Sequence, residues 1–391
     1  MTAGANPPYP RVVTTLGADR LVAPALLAAG TPSALAVARA GLWTLFAAHA
    51  LAAWGTQWDI LWHLLIGRDS FWIAPHVMTY SGVTAIVLAS FGPLVWTTVR
   101  DERPAATIRV AGFVGTRGYH LAAWGIALTV LAAPIDDLWH RLFGVDVALW
   151  SPPHLLGLLG GIVNAAACWW IAGETYPEGS RTRLVAVVLA GALVYGGVGV
   201  GLQPAVRIAY AHGGLAYFTY PILAALLVPL ALVVTARLSG LRAAPLLPPL
   251  VALGLGTLGG LVARAGFAWL QPVSFIAQEI ARDPSSPIAL AHEIARKNST
   301  TPGAWNPLLL VVTMLGALAM IAVDARRRPV AAALASGLTM LVTAALVLAR
   351  LPAFAQALPS ALDTLLAAVL TVLAAGAGGA LASRTTPGWW R

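Results

Sequence analysis

The sequence has 391 residues, of which 59% are hydrophobic and only 10% are charged, and its mean hydropathy is +0.78. Since soluble domains carry about 25% charged residues, this composition excludes a soluble protein and predicts an integral membrane protein. The net charge of +9 does not indicate a nucleic-acid partner, because the basic residues are spread between apolar segments. The lone Cys168 excludes internal disulfides and a cysteine-based metal site.

Ten apolar segments are long enough to cross a bilayer, which takes about 20 residues of helix. We therefore predict an all-α, polytopic membrane protein with one transmembrane domain over residues 33–383 and tails over 1–32 and 384–391. The first tail is polar and lacks the features of a signal peptide. The predicted spans are 33–54, 76–98, 119–138, 154–173, 184–205, 215–236, 245–269, 306–323, 330–350 and 361–383.

The basic residues between these spans predict the orientation in a cell membrane. With the N-terminus inside, the cytoplasmic side carries about twice as many basic residues as the outer side, as the positive-inside rule requires. We therefore expect both termini in the cytoplasm. The longest outer connection, residues 271–305, contains IAQEIARD and LAHEIARK, two amphipathic stretches that predict one or two interfacial helices.

Two polar stretches interrupt the apolar first half and repeat each other. WDILWHLLIGRDSFWIAPH occupies residues 58–76, and DDLWHRLFGVDVALWSPPH occupies residues 136–154. The repeat predicts two helical hairpins of common design, over 33–98 and 119–173. The matching residues are Asp59, Trp62, His63, Gly67, Asp69, Trp72, Pro75 and His76 in the first copy, and Asp136, Trp139, His140, Gly144, Asp146, Trp150, Pro153 and His154 in the second.

Each copy contains one carboxylate and two imidazoles that a hairpin would bring together. An Asp and a His four residues apart share one face of a helix, and the turn that follows returns the second His to the start of the next span. Carboxylate oxygen and imidazole nitrogen form a metal site for copper, iron or zinc. The predicted ligands are Asp59, His63 and His76 in the first copy and Asp136, His140 and His154 in the second.

Five other polar residues are predicted to orient these ligands or to lie near them. Asp69 and Asp146 follow the first His of each copy by six residues and are also candidates for a fourth ligand. Asp137 is next to Asp136, His49 lies deep in the first span, and His212 is in an outer loop. Both motifs are predicted to lie on the extracytoplasmic side of the membrane. His292 and Glu293 are predicted on the same side and are candidates to cover or complete the site.

A membrane helix often contains a single His that only packs against a neighbour. The same three polar residues at matching places twice are harder to explain by packing, because ionisable groups in a membrane are costly and usually functional. The pattern therefore favours metal or proton chemistry over a purely structural role.

The first copy resembles the metal-binding segment of the C subunit of particulate methane and ammonia monooxygenases. The second copy keeps part of the match, with His154 one residue further from His140. The resemblance implies a metal site, with copper as the metal, and oxidation of a small apolar molecule; it does not imply methane. The residues that carry it are Asp59, Trp62, His63, Arg68, Asp69, Phe71 and His76, with Asp136, Trp139, His140 and Asp146 in the second copy.

Several alternatives stay open at this stage. The hairpins can supply two mononuclear sites or one shared dinuclear site, and zinc in place of copper or iron would indicate hydrolysis or structure. Besides a metal-dependent oxygenase-like enzyme, the pattern allows a metal-ion or proton-coupled transporter or a structural metal-binding subunit. The carboxylates disfavour a haem cytochrome. The expected partners are the lipid bilayer, a small apolar substrate, and further membrane subunits or a second copy of the chain.

Overall fold

The computed structural model describes residues 32–67, 70–100, 106–143, 149–303 and 307–385. Within these ranges the chain is almost entirely helical. Its elements in chain order are α1 Pro32–Leu65, α2 Ala74–Arg100, β1 Ile108–Val110, β2 Phe113–Gly115, α3 Arg117–Phe143, α4 Pro152–Thr175, α5 Arg181–Leu202, α6 Pro204–His212, α7 Thr219–Ser239, α8 Leu247–Leu270, α9 Ile276–Arg282, α10 Pro287–Lys297, α11 Pro307–Val323, α12 Pro329–Ala349 and α13 Ala361–Arg384.

The helices confirm an all-α, multi-pass membrane protein. In the part of the chain that the structure describes, nine segments are long and apolar enough to cross a bilayer. Helices α5 and α6 together form one of these segments, Arg181–His212. The predicted span 306–323 coincides with α11, but the apolar helix Leu310–Val323 is shorter than the other nine segments. Helix α1 continues beyond the predicted end of its span and carries the first polar motif on its last turns.

A small β-hairpin between α2 and α3 is an element that hydropathy does not predict. Strand β1 pairs antiparallel with β2, with Arg109 opposite Val114. The two turn residues, Ala111 and Gly112, both have positive φ angles of 49° and 86°, as a tight two-residue hairpin turn requires. The hairpin is attached to the end of α2, because the Val114 N–H donates to Oγ1 of Thr98 at 2.8 Å.

The first four helices pack as two hairpins, α1 with α2 and α3 with α4, and α2 contacts α3 between them. Helix α5 contacts α4, α7 and α8. Helices α7, α12 and α13 pack against one another. Helix α8 also contacts α1. The interior consists mainly of small and branched apolar side chains, which allow helices in a membrane to approach closely. Fully buried examples are Leu42, Ala122, Ile171, Ala190 and Leu232.

Candidate metal centres

The first candidate centre lies where α1 ends and α2 begins. Asp59 and His63 occupy the last turns of α1, and His76 lies in the first turn of α2. Oδ1 of Asp59 lies 3.4 Å from Nε2 of His63 and 3.0 Å from Nε2 of His76. The hairpin therefore brings together the three residues that the first motif predicts as ligands.

The second candidate centre has the same construction at the junction of α3 and α4. Nε2 of His140 lies 3.2 Å from Oδ2 of Asp136, and Nε2 of His154 lies 3.5 Å from Oδ1 of the same carboxylate. His154 is in the first turn of α4, which begins at Pro152. The extra residue in the second copy therefore does not separate the three side chains.

The spacing of these atoms fits a single bound ion in each hairpin. Nitrogen and oxygen ligands bind ions such as zinc at about 2.0–2.2 Å, so two ligand atoms on one ion lie roughly 3–3.5 Å apart. The carboxylate-to-imidazole distances of 3.0–3.5 Å fall in this range. In each group, the three ligand atoms all lie within 4.8 Å of one another. Both groups could therefore hold a metal ion.

The carboxylate oxygens supply a further indication of a cation. Oδ1 of Asp59 and Oδ1 of Asp136 are buried and accept no hydrogen bond from the described residues. A buried carboxylate oxygen without a donor is costly, and a metal ion between the three atoms would remove that cost.

The six side chains are shielded but still reachable. Their exposed fractions lie between 22% and 34%. A bound ion would therefore be close to the protein surface, at the end of each hairpin, and would not be enclosed in the bundle interior.

The backbone of the first turn orients one of the imidazoles. Nδ1 of His76 lies 3.1 Å from the carbonyl oxygen of Phe71, so the Nδ1–H donates to it. This hydrogen bond leaves the lone pair on Nε2, the nitrogen that faces Asp59. Phe71 also packs its ring against His76 and Tyr80, with centroid distances of 6.5 and 5.0 Å. The connection after α1 thus fixes the ring in a metal-binding tautomer.

In both hairpins the two helices cross at a glycine, and this glycine crossing sets the distance between them. Gly82 follows His76 by six residues, and a Cβ atom there would lie 2.5 Å from the backbone nitrogen of Ala52. Gly160 follows His154 by the same interval, and its Cβ would lie 2.6 Å from the backbone nitrogen of Thr129. Ala52 and Thr129 each precede the motif Asp by seven residues. The internal repeat therefore extends from the polar motifs into the helix packing.

Tyr80 lies on α2 beside the first centre. Its ring is 5.7 Å from that of His76, one turn further along the helix. Helix α2 also contacts α3, whose last turns carry Asp136 and His140. The two groups of ligands therefore belong to adjacent hairpins.

Of the other residues predicted to lie near the metal, the structure describes Asp137, His212 and His49. Asp137 forms an ion pair with Arg141 at 2.7 Å, and both side chains are exposed. His212 is exposed at the end of α6. Asp69 and Asp146 lie outside the described residues. Their proposed roles beside the metal stay predictions.

His49 belongs to a polar network in the interior. Its Nε2 lies 2.7 Å from Oδ1 of Asn164, and the Asn164 amide donates to Oγ of Ser90 and to the carbonyl of Ala122. These four residues come from α1, α4, α2 and α3. Since His49 precedes Asp59 by ten residues, it lies about 15 Å from it along the helix. Its observed contacts join the two hairpins.

Two structural contributors to the site were not identified from the sequence. The carbonyl of Phe71 has no sequence signature, because every residue has a backbone carbonyl. Gly82 and Gly160 do have a sequence signature, since each follows the second His of its motif by six residues. Extending the comparison of the two copies beyond the polar residues would have found the glycines.

Comparison of the chain with protein-family models, with curated proteins and with solved structures finds no match. The class that the fold and the site define is a polytopic helical membrane protein with two Asp/His/His groups, each able to hold a metal ion.

Proposed function

We propose that this chain is a membrane metalloprotein that binds one transition-metal ion in each of its two N-terminal hairpins. The observation that carries the proposal is the convergence, twice, of two imidazole nitrogens on one carboxylate, with the three ligand atoms of each group within 4.8 Å of one another. Each group comes from a single hairpin, which favours two neighbouring mononuclear sites over one shared dinuclear site. The ligands are Asp59, His63 and His76 at site 1, and Asp136, His140 and His154 at site 2.

Copper is the metal that we propose, with non-haem iron as the alternative. Two imidazoles and a carboxylate suit both metals, and three protein ligands leave coordination positions for oxygen or water. The resemblance of the first motif to a copper-binding segment favours copper. A redox metal with open positions would supply oxidation chemistry, and the hairpins would hold it in place and fix the tautomer of His76. We therefore propose an oxygenase-like oxidoreductase.

A small apolar substrate fits the surroundings of site 1. A surface groove of about 460 Å³ runs along α2. Tyr80 lines this groove and also packs against His76. An apolar molecule dissolved in the bilayer would therefore reach the edge of site 1 along this mainly apolar groove. The groove is lined by Trp72, Val77, Tyr80, Ser81, Thr84, Ala85 and Leu88.

Metal analysis of protein purified without chelators tests the ligand assignment. The comparison is between the wild type, His63→Ala, His140→Ala and the double variant, with the exposed His212→Ala as a matched control. We expect two equivalents of metal in the wild type and the control, one in each single variant and none in the double variant. Loss of all metal in either single variant would favour one shared centre, and equal content in all five proteins would overturn the proposal.

Spectroscopy tests the proposed chemistry. Paramagnetic resonance of the copper-loaded protein should show Cu²⁺ with nitrogen ligands, and added azide should change the spectrum if a coordination position is open. An unchanged spectrum would favour a structural metal. Uptake of Cu²⁺ into sealed vesicles that contain the protein, abolished in the double variant, would instead favour the transporter.

The predicted orientation can be measured with one engineered cysteine. Ser70 is exposed in the turn after α1, whereas the native Cys168 is buried. Ser70→Cys should react with a membrane-impermeant maleimide added to intact cells, and the wild type should not. Labelling that requires permeabilised cells would place the metal sites on the cytoplasmic side.

A further inference from the structure

We infer that the connection between α8 and α11 holds the end of α1 in place and so positions the ligands of site 1, while it leaves site 2 unaffected. We call this contact the clamp. We call residues 271–303 the outer loop. This inference rests on the proposed function, since it concerns how tightly site 1 holds its metal. The residue that the structure assigns to the central contact is His292, as a positioning residue and not as a ligand.

The last carbonyls of a helix lack partners within the helix, and at the end of α1 the outer loop supplies them. Nε2 of His292 donates to the carbonyl of Leu64 at 2.7 Å. Oγ of Ser274 donates to the carbonyl of Leu65 at 2.6 Å, and the backbone N–H of Phe275 donates to that of Ile66 at 2.6 Å. Three consecutive carbonyls are thus bound by one segment of chain.

These contacts act on the part of α1 that carries two ligands. Leu64 directly follows His63, and Asp59 is little more than one turn earlier. The backbone of the outer loop also approaches α1 closely at Gly303, where a Cβ atom would lie 2.7 Å from the side chain of Leu61. Fraying of this last turn would move His63 away from Asp59 and His76, so the clamp holds the geometry of site 1.

The clamp is itself anchored to a different part of the bundle. Nζ of Lys297 donates to the hydroxyl of Tyr210 on α6 at 2.6 Å and forms an ion pair with Glu293 at 3.0 Å. Hydrogen bonds from Tyr210 and Lys297 lower the pKa of the Glu293 carboxyl. Oδ1 of Asn298 accepts from the backbone N–H of Ala353 at 3.0 Å. Helix α10 therefore connects the end of α1 to α6 and to the segment before α13.

Single-site proteins separate the effect on each centre. His140→Ala leaves site 1 and His63→Ala leaves site 2, and the affinity for Cu²⁺ alone is measured in each by competition with a chelator. Because residues that orient metal ligands typically contribute 10–100-fold in affinity, His292→Leu should weaken site 1 about 10-fold and change site 2 less than twofold. His292→Gln, which keeps an N–H donor, should retain most of the affinity of site 1.

The exposed Arg282→Ala, in the same loop, is the matched control and should change neither site. An unchanged Cu²⁺ affinity of site 1 in His292→Leu, or an equal loss of affinity at both sites, would overturn the inference while leaving the metal sites in place. If neither single-site protein binds Cu²⁺ before position 292 is changed, the proposed function fails instead.

Amide hydrogen exchange gives a second readout that needs no metal. The peptide covering residues 58–67 should exchange faster in His292→Leu than in the wild type and Arg282→Ala, because the amides of Ile66 and Gly67 are bonded to the carbonyl of Trp62 within the clamped turn. The peptide covering residues 135–143 should be unchanged. Equal rates at residues 58–67 in all three proteins would overturn the inference.

Discussion

The two N-terminal hairpins share their ligands and their glycine crossing but differ in what supports them. Around site 1, Trp58 and Trp62 are buried, and both rings pack against Phe267 of α8. Around site 2, the described residues leave the side chains at the end of α3 largely uncovered: Leu142 and Phe143 are 65% and 67% exposed. The features present in both hairpins are the ligands of the proposed metal sites and the helix crossing beside them. The features present in only one hairpin predict that the two sites differ in rigidity.

Of the changes that test this comparison, removal of a ligand carboxylate should have the largest effect on metal binding. Asp59→Asn and Asp136→Asn should each lower the affinity of their own site for Cu²⁺ by more than about 100-fold, above the loss typical of residues that only orient ligands. The other site should keep its metal. The measurement is copper stoichiometry and competition titration, and Asp137→Asn, which changes an exposed neighbouring carboxylate, is the control. Loss of both metals on changing one Asp would make the hairpins halves of one centre.

If the two hairpins share one design, both glycine crossings should be equally sensitive to an added Cβ atom. Gly82→Ala and Gly160→Ala should each destabilise the protein by about 1–3 kcal/mol, the usual cost of overpacking. Unfolding in detergent, followed by loss of helical circular dichroism, measures this. Gly92→Ala and Gly161→Ala are the controls, because a Cβ atom at either position meets no other atom within 4 Å. A cost at only one crossing would mean that the repeat does not extend into the packing.

The unequal support should make the two sites unequal in affinity. Site 1, fixed by the outer loop and α8, should bind Cu²⁺ about 10-fold more tightly than site 2, since rigid surroundings reduce the cost of ordering the ligands. Titration of His140→Ala against His63→Ala measures the ratio. A ratio near one would show that the supports around site 1 contribute nothing to binding.

The smallest expected effect is that of the ion pair beside site 2. Arg141→Ala removes the partner of Asp137, and an exposed pair of this type contributes about 0.3–0.5 kcal/mol to stability. Copper binding at site 2 should be unchanged. A tenfold loss of affinity would instead assign Asp137 to the orientation of the site 2 ligands.

Much of this arrangement follows from sequence spacing. An Asp and a His four residues apart share a helix face, and a short turn returns the second His, so the sequence alone predicts that Asp59, His63 and His76 lie together. Duplication strengthened the prediction, since the same spacing occurs at Asp136. The fold class followed from hydropathy alone.

The contacts that the sequence did not predict are those made by backbone or by distant segments. His292 was a candidate to cover or complete the site, but its bond to the carbonyl of Leu64 joins residues 228 apart in the chain. No local pattern encodes such a pairing. The β-hairpin after α2 was missed because its strands of three residues are too short for an alternating pattern to be recognised.

The separation between Leu64 and His292 has a consequence for synthesis of the protein. Site 2 contains only residues up to His154, so its hairpin is complete early in translation. The clamp on site 1 cannot close until another 228 residues beyond Leu64 have been made. At about 5–20 residues per second, this takes roughly 10–45 s. A nascent chain therefore carries the proposed ligands of both sites while the end of α1 is still unclamped, and site 1 would reach its full affinity only after His292 has been made.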